Sequence, residues 1–158
     1  MADKRIVYTD PSTSNVVVVN PTAVRLEGES DDDYANRVAG LVVPNGVAHS
    51  VVNFESLPTD RNFRNDWAIS GGSVSVDMAA ARTTHMNNIR TARNKKLEEL
   101  DVTFMRAVEA ADSDAQASAA TAKQALRDIP ATFDLSGFDN ATDLYAAWPD
   151  GLPRPAEG

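Results

Sequence analysis

The pattern of apolar and polar positions changes character near residue 77 of this 158-residue chain. Before that point, short apolar runs alternate with clusters of turn-forming residues, which is typical of β-strands. After it, a long stretch without proline or glycine predicts helices. We therefore predict an α+β fold. Its parts are a small N-terminal β-rich lobe with one short helix (1–76), a long antiparallel helical hairpin plus a short helix (77–150) and a flexible tail (151–158).

Two β-hairpins are predicted in the first part. Lys4–Thr9 and Val16–Val19 flank a six-residue turn cluster, Asp10–Asn15. Trp67–Ile69 and Ser73–Val76 flank a second turn that contains a Gly-Gly pair. The four valines in a row do not alternate with polar residues, so we expect them to be buried on both faces or to pair with a partner chain.

A further strand and a helix are predicted between the two hairpins. The strand covers Val47–Phe54. The helix begins after Ser30, a good N-cap that three aspartates follow, and it ends before Pro44. Its inward positions are predicted to be Tyr34, Val38 and Leu41.

The second part is predicted to begin with a helix of roughly 35 residues, from Met78 to Asp112, capped by Asp77. Its inward positions should follow one another at spacings near three and four residues. These positions are Met86, Ile89, Leu97, Leu100, Phe104, Val108 and Ala111.

A return helix is predicted over the alanine-rich stretch Ala115–Asp128, where small side chains allow two helix axes to approach closely. Ser113 or Asp114 is expected to cap it and Pro130 to end it. A last short helix, 141–148, is predicted to begin after Asn140.

Composition excludes several kinds of chemistry and of partner. The chain has no cysteine, so disulfides and zinc-thiolate sites are impossible. A net charge of −8 argues against nucleic acid and against anionic membranes as partners. Because the sequence shows neither a secretory signal pattern nor a run of about 20 apolar residues, we expect synthesis in the cytoplasm and no membrane segment.

No catalytic or cofactor-binding motif is recognisable. The chain contains two histidines, His49 and His85. A metal site on a helix would place a second ligand three or four residues from His85, and those positions hold Arg82, Ala81, Asn88 and Ile89. We therefore predict that His85 is an ordinary interface or packing histidine, and we predict no metal or cofactor and no enzymatic activity.

Two segments are candidates for a protein interface. One is the aromatic and arginine-rich stretch from Asp60 to Trp67, whose two aromatic residues could instead anchor the second hairpin to the long helix. The other is a basic band on the long helix, which could be a solvated face or could contact an acidic neighbour, including another copy of the chain. We also expect Lys95 to pair with Glu99. The candidate interface residues are Arg61, Phe63, Arg64, Trp67, Arg82, Arg90, Arg93 and Lys96.

Several short sequences between residues 58 and 150 form a recognisable set. They are DRNFRNDW (60–67), VDMAAAR (76–82), IRTAR (89–93), LEELD (97–101) and LRDIP (126–130), followed by Leu144 and the pair Trp148-Pro149. Together they resemble a module found in proteins of tailed bacteriophages and prophages. The module carries no known catalytic residues. It implies other phage structural proteins as partners and a role in the phage particle or in its assembly.

We therefore predict a virion structural protein, a small tail, baseplate or fibre-associated component that is located in the virion and acts as a homo-oligomer by protein–protein binding. The alternative is a tail-fibre assembly chaperone that is not retained in the particle. A structural part should occur in purified particles at a defined stoichiometry, whereas a chaperone need not occur there.

Overall fold

The computed structural model describes residues 3–154, and it confirms the predicted α+β fold. The chain forms two compact units. Unit 1 is Met1–Ala81 and unit 2 is Arg82–Gly158, so the boundary lies within the first turns of the long helix.

Unit 1 contains a three-stranded antiparallel sheet of order β2-β1-β3. Strand β1 is Lys4–Thr9 and strand β2 is Val16–Val19, and they pair from Thr9 opposite Val16 to Ile6 opposite Val19. The predicted hairpin and its six-residue connection are thus confirmed. Strand β3, His49–Asn53, pairs with the other edge of β1 and is shorter than predicted.

A second, two-stranded sheet consists of β4, Trp67–Ser70, and β5, Ser73–Val76. The two glycines between the strands, Gly71 and Gly72, have φ angles of +57° and +82°. This left-handed backbone matches the twist of a two-residue hairpin and is accessible to glycine at little cost. The predicted hairpin is confirmed with the predicted turn.

The helix α1 of unit 1, Asp31–Val42, begins as predicted, because the Ser30 hydroxyl accepts a hydrogen bond from the Asp33 backbone N–H at 3.1 Å. Its predicted inward face is partly wrong. Val38 is buried, but Leu41 is 72% exposed, and Ala35 and Ala39 are buried instead. Small residues therefore form the contact face of this helix.

Two apolar clusters in unit 1 show that its central sheet is covered on both faces. Neighbouring residues of β1, Ile6 and Val7, belong to different clusters. Ile6 packs with α1, whereas Val7 packs with Trp67 and Val74 of the second sheet. Because successive strand residues point to opposite faces, this assignment requires cover on both sides of the sheet. In the valine run itself, Val16 is buried and the other three valines are half-buried, with Val18 against one cluster and Val19 against the other. The prediction that the run is buried on both faces is thus met only in part.

Unit 2 contains a helical hairpin. Helix α2 is Met78–Glu109 and helix α3 is Ser113–Thr132. The N-cap of α3 is Asp112, whose side chain accepts from the Ala115 N–H, rather than the predicted Ser113 or Asp114. Pro130 does not end the helix as predicted. It lies near the helix end, where a missing N–H removes one hydrogen bond, and the Phe133 N–H still donates to the Ile129 carbonyl.

The predicted inward face of α2 is correct only in part. Ile89 is fully buried, whereas Val108 and Ala111 are exposed. The closely buried position near the end of α2 is Ala107, with Ala119 buried on α3. The hairpin is thus held by small residues and by polar contacts along its sides. These contacts are an ion pair of Lys123 with Asp101, a cation–π contact of Lys123 with Phe104, and a hydrogen bond from Gln116 to Ala107.

The last helix, α4, is Ala141–Ala146, and Asn140 caps it as predicted. The segment predicted as a tail begins at Gly151. In its described part Leu152 is buried, and its carbonyl accepts a hydrogen bond of 2.8 Å from the Trp148 indole N–H. Residues 155–158 lie outside the described residues.

Candidate functional site

The aromatic residues of the segment 60–67 lie inside unit 1. Phe63 and Trp67 are 2% and 3% exposed, so little of either side chain is available to a partner. A short 3-10 turn, Arg64–Asp66, brings the chain from Phe63 to the start of β4, where Trp67 packs between the sheets. The sequence offered anchoring of the second hairpin to the long helix as the alternative to an interface. The cluster around Trp67 instead joins this hairpin to strand residues of unit 1, among them Val7 and Val52.

The two arginines of the same segment cover the ring of Trp67. The guanidinium carbons of Arg64 and Arg61 lie 4.2 and 5.3 Å from the ring centroid. Partial burial lowers the pKa of Arg64, and the neighbouring charge of Arg61 lowers it further. Asp77 caps α2, as predicted, by accepting from the Ala79 and Ala80 N–H groups. The segment therefore presents two stacked guanidinium groups on a buried tryptophan.

The basic residues of α2 differ from one another in the groups that they contact. Arg82 donates to the Phe138 carbonyl at 2.8 Å and lies 3.5 Å from the Asp139 carboxylate. Arg90 and Arg93 donate to the side chains of the nearby Asn87 and Asn94.

The expected pair of Lys95 with Glu99 is replaced by Lys96, whose ammonium lies 2.7 Å from the Glu99 carboxylate. The hydrogen bond and charge of Lys96 lower the pKa of Glu99, and the charge of Lys95 adds to this effect. Lys95 itself forms no ion pair within residues 3–154.

A cluster that sequence reasoning missed surrounds His85. This histidine is 1% exposed, its Nε2 lies 2.6 Å from the Ala147 carbonyl oxygen, and the Trp148 ring meets it edge-on at 5.6 Å. Burial lowers the pKa of His85. The packing role predicted for His85 agrees with this position, but its partners lie about 60 residues away in the sequence.

Arg154 closes the same cluster from outside. Its guanidinium lies over the rings of Tyr145 and Trp148, at 4.6 and 4.9 Å, and donates to the carbonyls of Tyr145 and Ala146. Because residues 151–158 were predicted to form a flexible tail, no structural role was predicted for Arg154. The preceding Trp148-Pro149 pair, an aromatic residue just after a short helix, was the available signal.

A cleft lies beside this cluster on unit 2. We call it the α2 cleft, and its volume is about 270 Å³. One wall is the exposed side of α2 and the other is the end of the described chain. Its lining residues are Thr91, Ala92, Lys95, Lys96, Glu99, Pro153 and Arg154. It is smaller than most cofactor pockets.

The described residues offer no support for metal or membrane chemistry. Among residues 3–154, no group of three or more His, Asp or Glu side chains could hold a metal ion. In the same part of the chain, no helix is both long enough and apolar enough to cross a membrane.

Comparison with known proteins gives one match. Residues 86–150 match a family described as phage tail assembly chaperone protein. The match relates this chain to phage tails. It covers less than half of the chain but includes most of unit 2. It favours the chaperone alternative over the structural component that was our first interpretation. No curated protein and no solved structure matches the chain.

Proposed function

We propose that the chain is a phage tail assembly chaperone, a protein that binds a tail protein during assembly and does not remain in the finished particle. The observation that carries the proposal is the match of residues 86–150 to the assembly chaperone family. The matched stretch contains most of the α2–α3 hairpin and residues 145–148, which lie against His85, although His85 itself precedes the match by one residue. Unit 2 is therefore the part expected to contact the tail protein.

The surface of α2 supports a binding role without catalysis. Val102, Met105 and Val108 are between 45% and 58% exposed although they are apolar, and they follow one another at a spacing of three residues. Helix residues at this spacing lie on neighbouring turns. Exposed apolar residues in a row are typical of surfaces that bind another protein. A chaperone needs such a surface because it covers apolar parts of a subunit until assembly buries them.

The first experiment measures where the protein is found. The gene is deleted from its phage or prophage and supplied in trans, and mass spectrometry quantifies the protein in cell lysates and in purified particles. We expect abundant protein in lysates, far less than one copy per particle, and defective tails without the complementing gene. A fixed number of copies per particle would contradict the proposal and favour a tail, baseplate or fibre component.

A matched pair of variants tests the surface of α2 in the same assay. Met105→Glu places a charge in the apolar row and should lower the yield of infectious particles by about tenfold or more. Thr103→Glu introduces the same charge two residues earlier, at an exposed polar position, and should leave the yield within about twofold. Equal losses from both variants would show that the row is not the contact.

The homo-oligomer predicted from the sequence remains part of the proposal. Light scattering at several concentrations tests it. If the apolar row mediates self-association, Met105→Glu shifts the mass toward the monomer and Thr103→Glu does not. A monomer at all concentrations would contradict self-association while leaving the chaperone role intact.

A further inference from the structure

We propose that the α2 cleft binds an acidic segment of the tail protein, with Lys95 and Arg154 as its anchoring cations. The inference rests on the proposed function for the identity of the partner. The site itself rests on charge, on the partners of each cation and on the shape of the cleft.

Charge is distributed unevenly along α2. From Met78 to Leu97 the sequence contains no acidic residue and five bases. From Glu98 to Asp114 it contains six acids and one base. The first half of α2 is therefore a basic surface on a chain whose net charge is −8. A surface of this kind attracts an acidic partner selectively, because the rest of the molecule repels it.

The cations at the cleft are not neutralised within the described chain. In unit 1, four bases form ion pairs with nearby carboxylates, namely Lys4, Arg5, Arg25 and Arg37. At the α2 cleft, only Lys96 does so, with Glu99. Lys95 and Arg154 have no ion pair among residues 3–154, so this described part of the chain leaves an excess of positive charge at the cleft.

Arg154 is also held in place. It stacks on two aromatic rings and donates to two backbone carbonyls, as described above. A cation fixed in this way loses less side-chain entropy on binding than a free one. The lining of the cleft also includes Ala92 and Pro153, which can contact an apolar side chain. The cleft thus fits a short peptide with acidic residues next to an apolar one.

Nucleic acid fits these observations less well. Binding of single strands combines positive charge with exposed aromatic faces on which bases stack. The aromatic residues nearest to the cleft, Tyr145 and Trp148, already have Arg154 over their rings.

The test uses the full chain and a labelled synthetic peptide of glutamates with a central leucine, measured by fluorescence anisotropy. A peptide with lysines in place of the glutamates and a single-stranded DNA oligonucleotide are the comparison probes. We expect the acidic peptide to bind most tightly, and its affinity to fall as salt is raised. Tighter binding of the DNA or of the basic peptide would overturn the proposal.

Substitutions of single charged residues test whether the peptide binds at the α2 cleft. Lys95→Glu should weaken binding of the acidic peptide by about tenfold or more, and Lys95→Gln should weaken it less. The control is Arg127→Glu on α3, which makes the same charge change at an exposed position of unit 2 and should change affinity by less than about twofold. Lys95 is exposed on a helix, so circular dichroism should show these variants to be folded. Equal losses of affinity from Lys95→Glu and Arg127→Glu would show that binding depends only on the net charge of the protein, and would overturn the assignment of the α2 cleft as the binding site.

A second copy of the chain could offer its own acidic stretch, 98–114, to the cleft. If it did, Lys95→Glu would lower the mass in light scattering, and the peptide would compete with self-association. That result would overturn the assignment to a tail protein.

The assignment of the α2 cleft and the proposed chaperone function can fail independently of each other. If the peptide does not bind but the protein is required for tails and absent from particles, only the cleft assignment is wrong. If the peptide binds at Lys95 but the protein is a stoichiometric part of particles, the chaperone role is wrong and the acidic site stands.

Discussion

His85 is a buried ionisable group whose neutral form suits its surroundings. Burial lowers its pKa below the ordinary value of 6.5, and the nearby charge of Arg154 acts in the same direction, while the hydrogen bond with the Ala147 carbonyl opposes them. The unfolded chain therefore binds a proton at His85 more readily than the folded chain does. Stability contributed by the neutral histidine is present above pH 6.5 and decreases as the pH falls below that value.

A measurement of unfolding by denaturant at a series of pH values tests this. We expect the free energy of unfolding of unit 2 to decrease between pH 7.5 and pH 5.5, and this dependence to be weaker in His85→Gln. The control His49→Gln removes the exposed histidine on β3 and should keep the dependence. An unchanged pH profile in His85→Gln would show that another group is responsible.

Glu29 and Arg37 give a prediction of the same sign, a loss of stability as the pH falls, in a more acidic range. Arg37 donates to both Glu29 oxygens, at 2.7 and 2.9 Å, and to the Val24 carbonyl, so the pair ties the segment before α1 to the helix. The hydrogen bond from Arg37 is the main cause that lowers the pKa of Glu29 from 4.5 to about 2. The stability this carboxylate contributes is present above pH 4.5 and is lost as the pH falls toward 2.

We expect Glu29→Gln to be less stable than the wild type at pH 7 and to lose part of the pH dependence between pH 4.5 and 2. Thermal unfolding at pH 7 and at several pH values between 4.5 and 2 measures both effects. Glu27→Gln is the matched control, because Glu27 is exposed and only two residues away. If both variants behave alike, the ion pair with Arg37 does not stabilise the fold.

The extent to which such residues could be predicted depends on how far apart their partners lie. The sequence showed that His85 has no second metal ligand at helical spacing, because that question is local. It could not show that Ala147 and Trp148 enclose His85, since their meeting depends on how the chain returns after α3. Arg154 was missed for the same reason.

The turn between α2 and α3 contains a backbone feature that the sequence did not reveal. Ala111 has a φ angle of +53°, in the left-handed region, and the next N–H, of Asp112, donates to the Ala107 carbonyl at 2.9 Å. This is the arrangement that commonly ends helices with glycine. An alanine there costs free energy because its Cβ crowds the following carbonyl.

We therefore expect Ala111→Gly to stabilise the protein by about 0.5–1 kcal/mol, after allowance for the larger entropy of glycine in the unfolded chain. Thermal unfolding should show a rise of roughly 2–4 °C. Ala110→Gly, one residue earlier, lacks the positive φ and should be neutral or destabilising. A fall in melting temperature for Ala111→Gly would show that the turn does not strain the alanine.

Elements with local signals were predicted well. The caps Ser30 and Asn140 and the turn at Gly71-Gly72 follow from the hydrogen-bonding and backbone preferences of single residues. The faces of the helices were predicted less well. Leu41 and Val108 fit the helical spacing but remain exposed, because alanines make the close contacts in both helices and periodicity alone favours the larger residue.

On the scale of the whole molecule, each unit has its own buried residues and its own tryptophan. Trp67 of unit 1 packs in a cluster with branched apolar residues, among them Val7, Val52 and Leu57. In unit 2, several of the buried apolar positions are alanines, and Trp148 is only half-buried. Burial of larger side chains stabilises more, so we expect unit 1 to be the more stable unit.

Single-tryptophan variants test this directly. Trp148→Phe leaves Trp67 as the reporter and changes no residue of unit 1, and Trp67→Phe leaves Trp148 and changes no residue of unit 2. Fluorescence in increasing urea should then give two transitions, with that of Trp148 at the lower concentration. Each variant alters only the unit that is not observed, so destabilisation by the substitution itself cannot create the predicted order. Coincident transitions in both variants would show that the shared helix α2 couples the units into one cooperative fold.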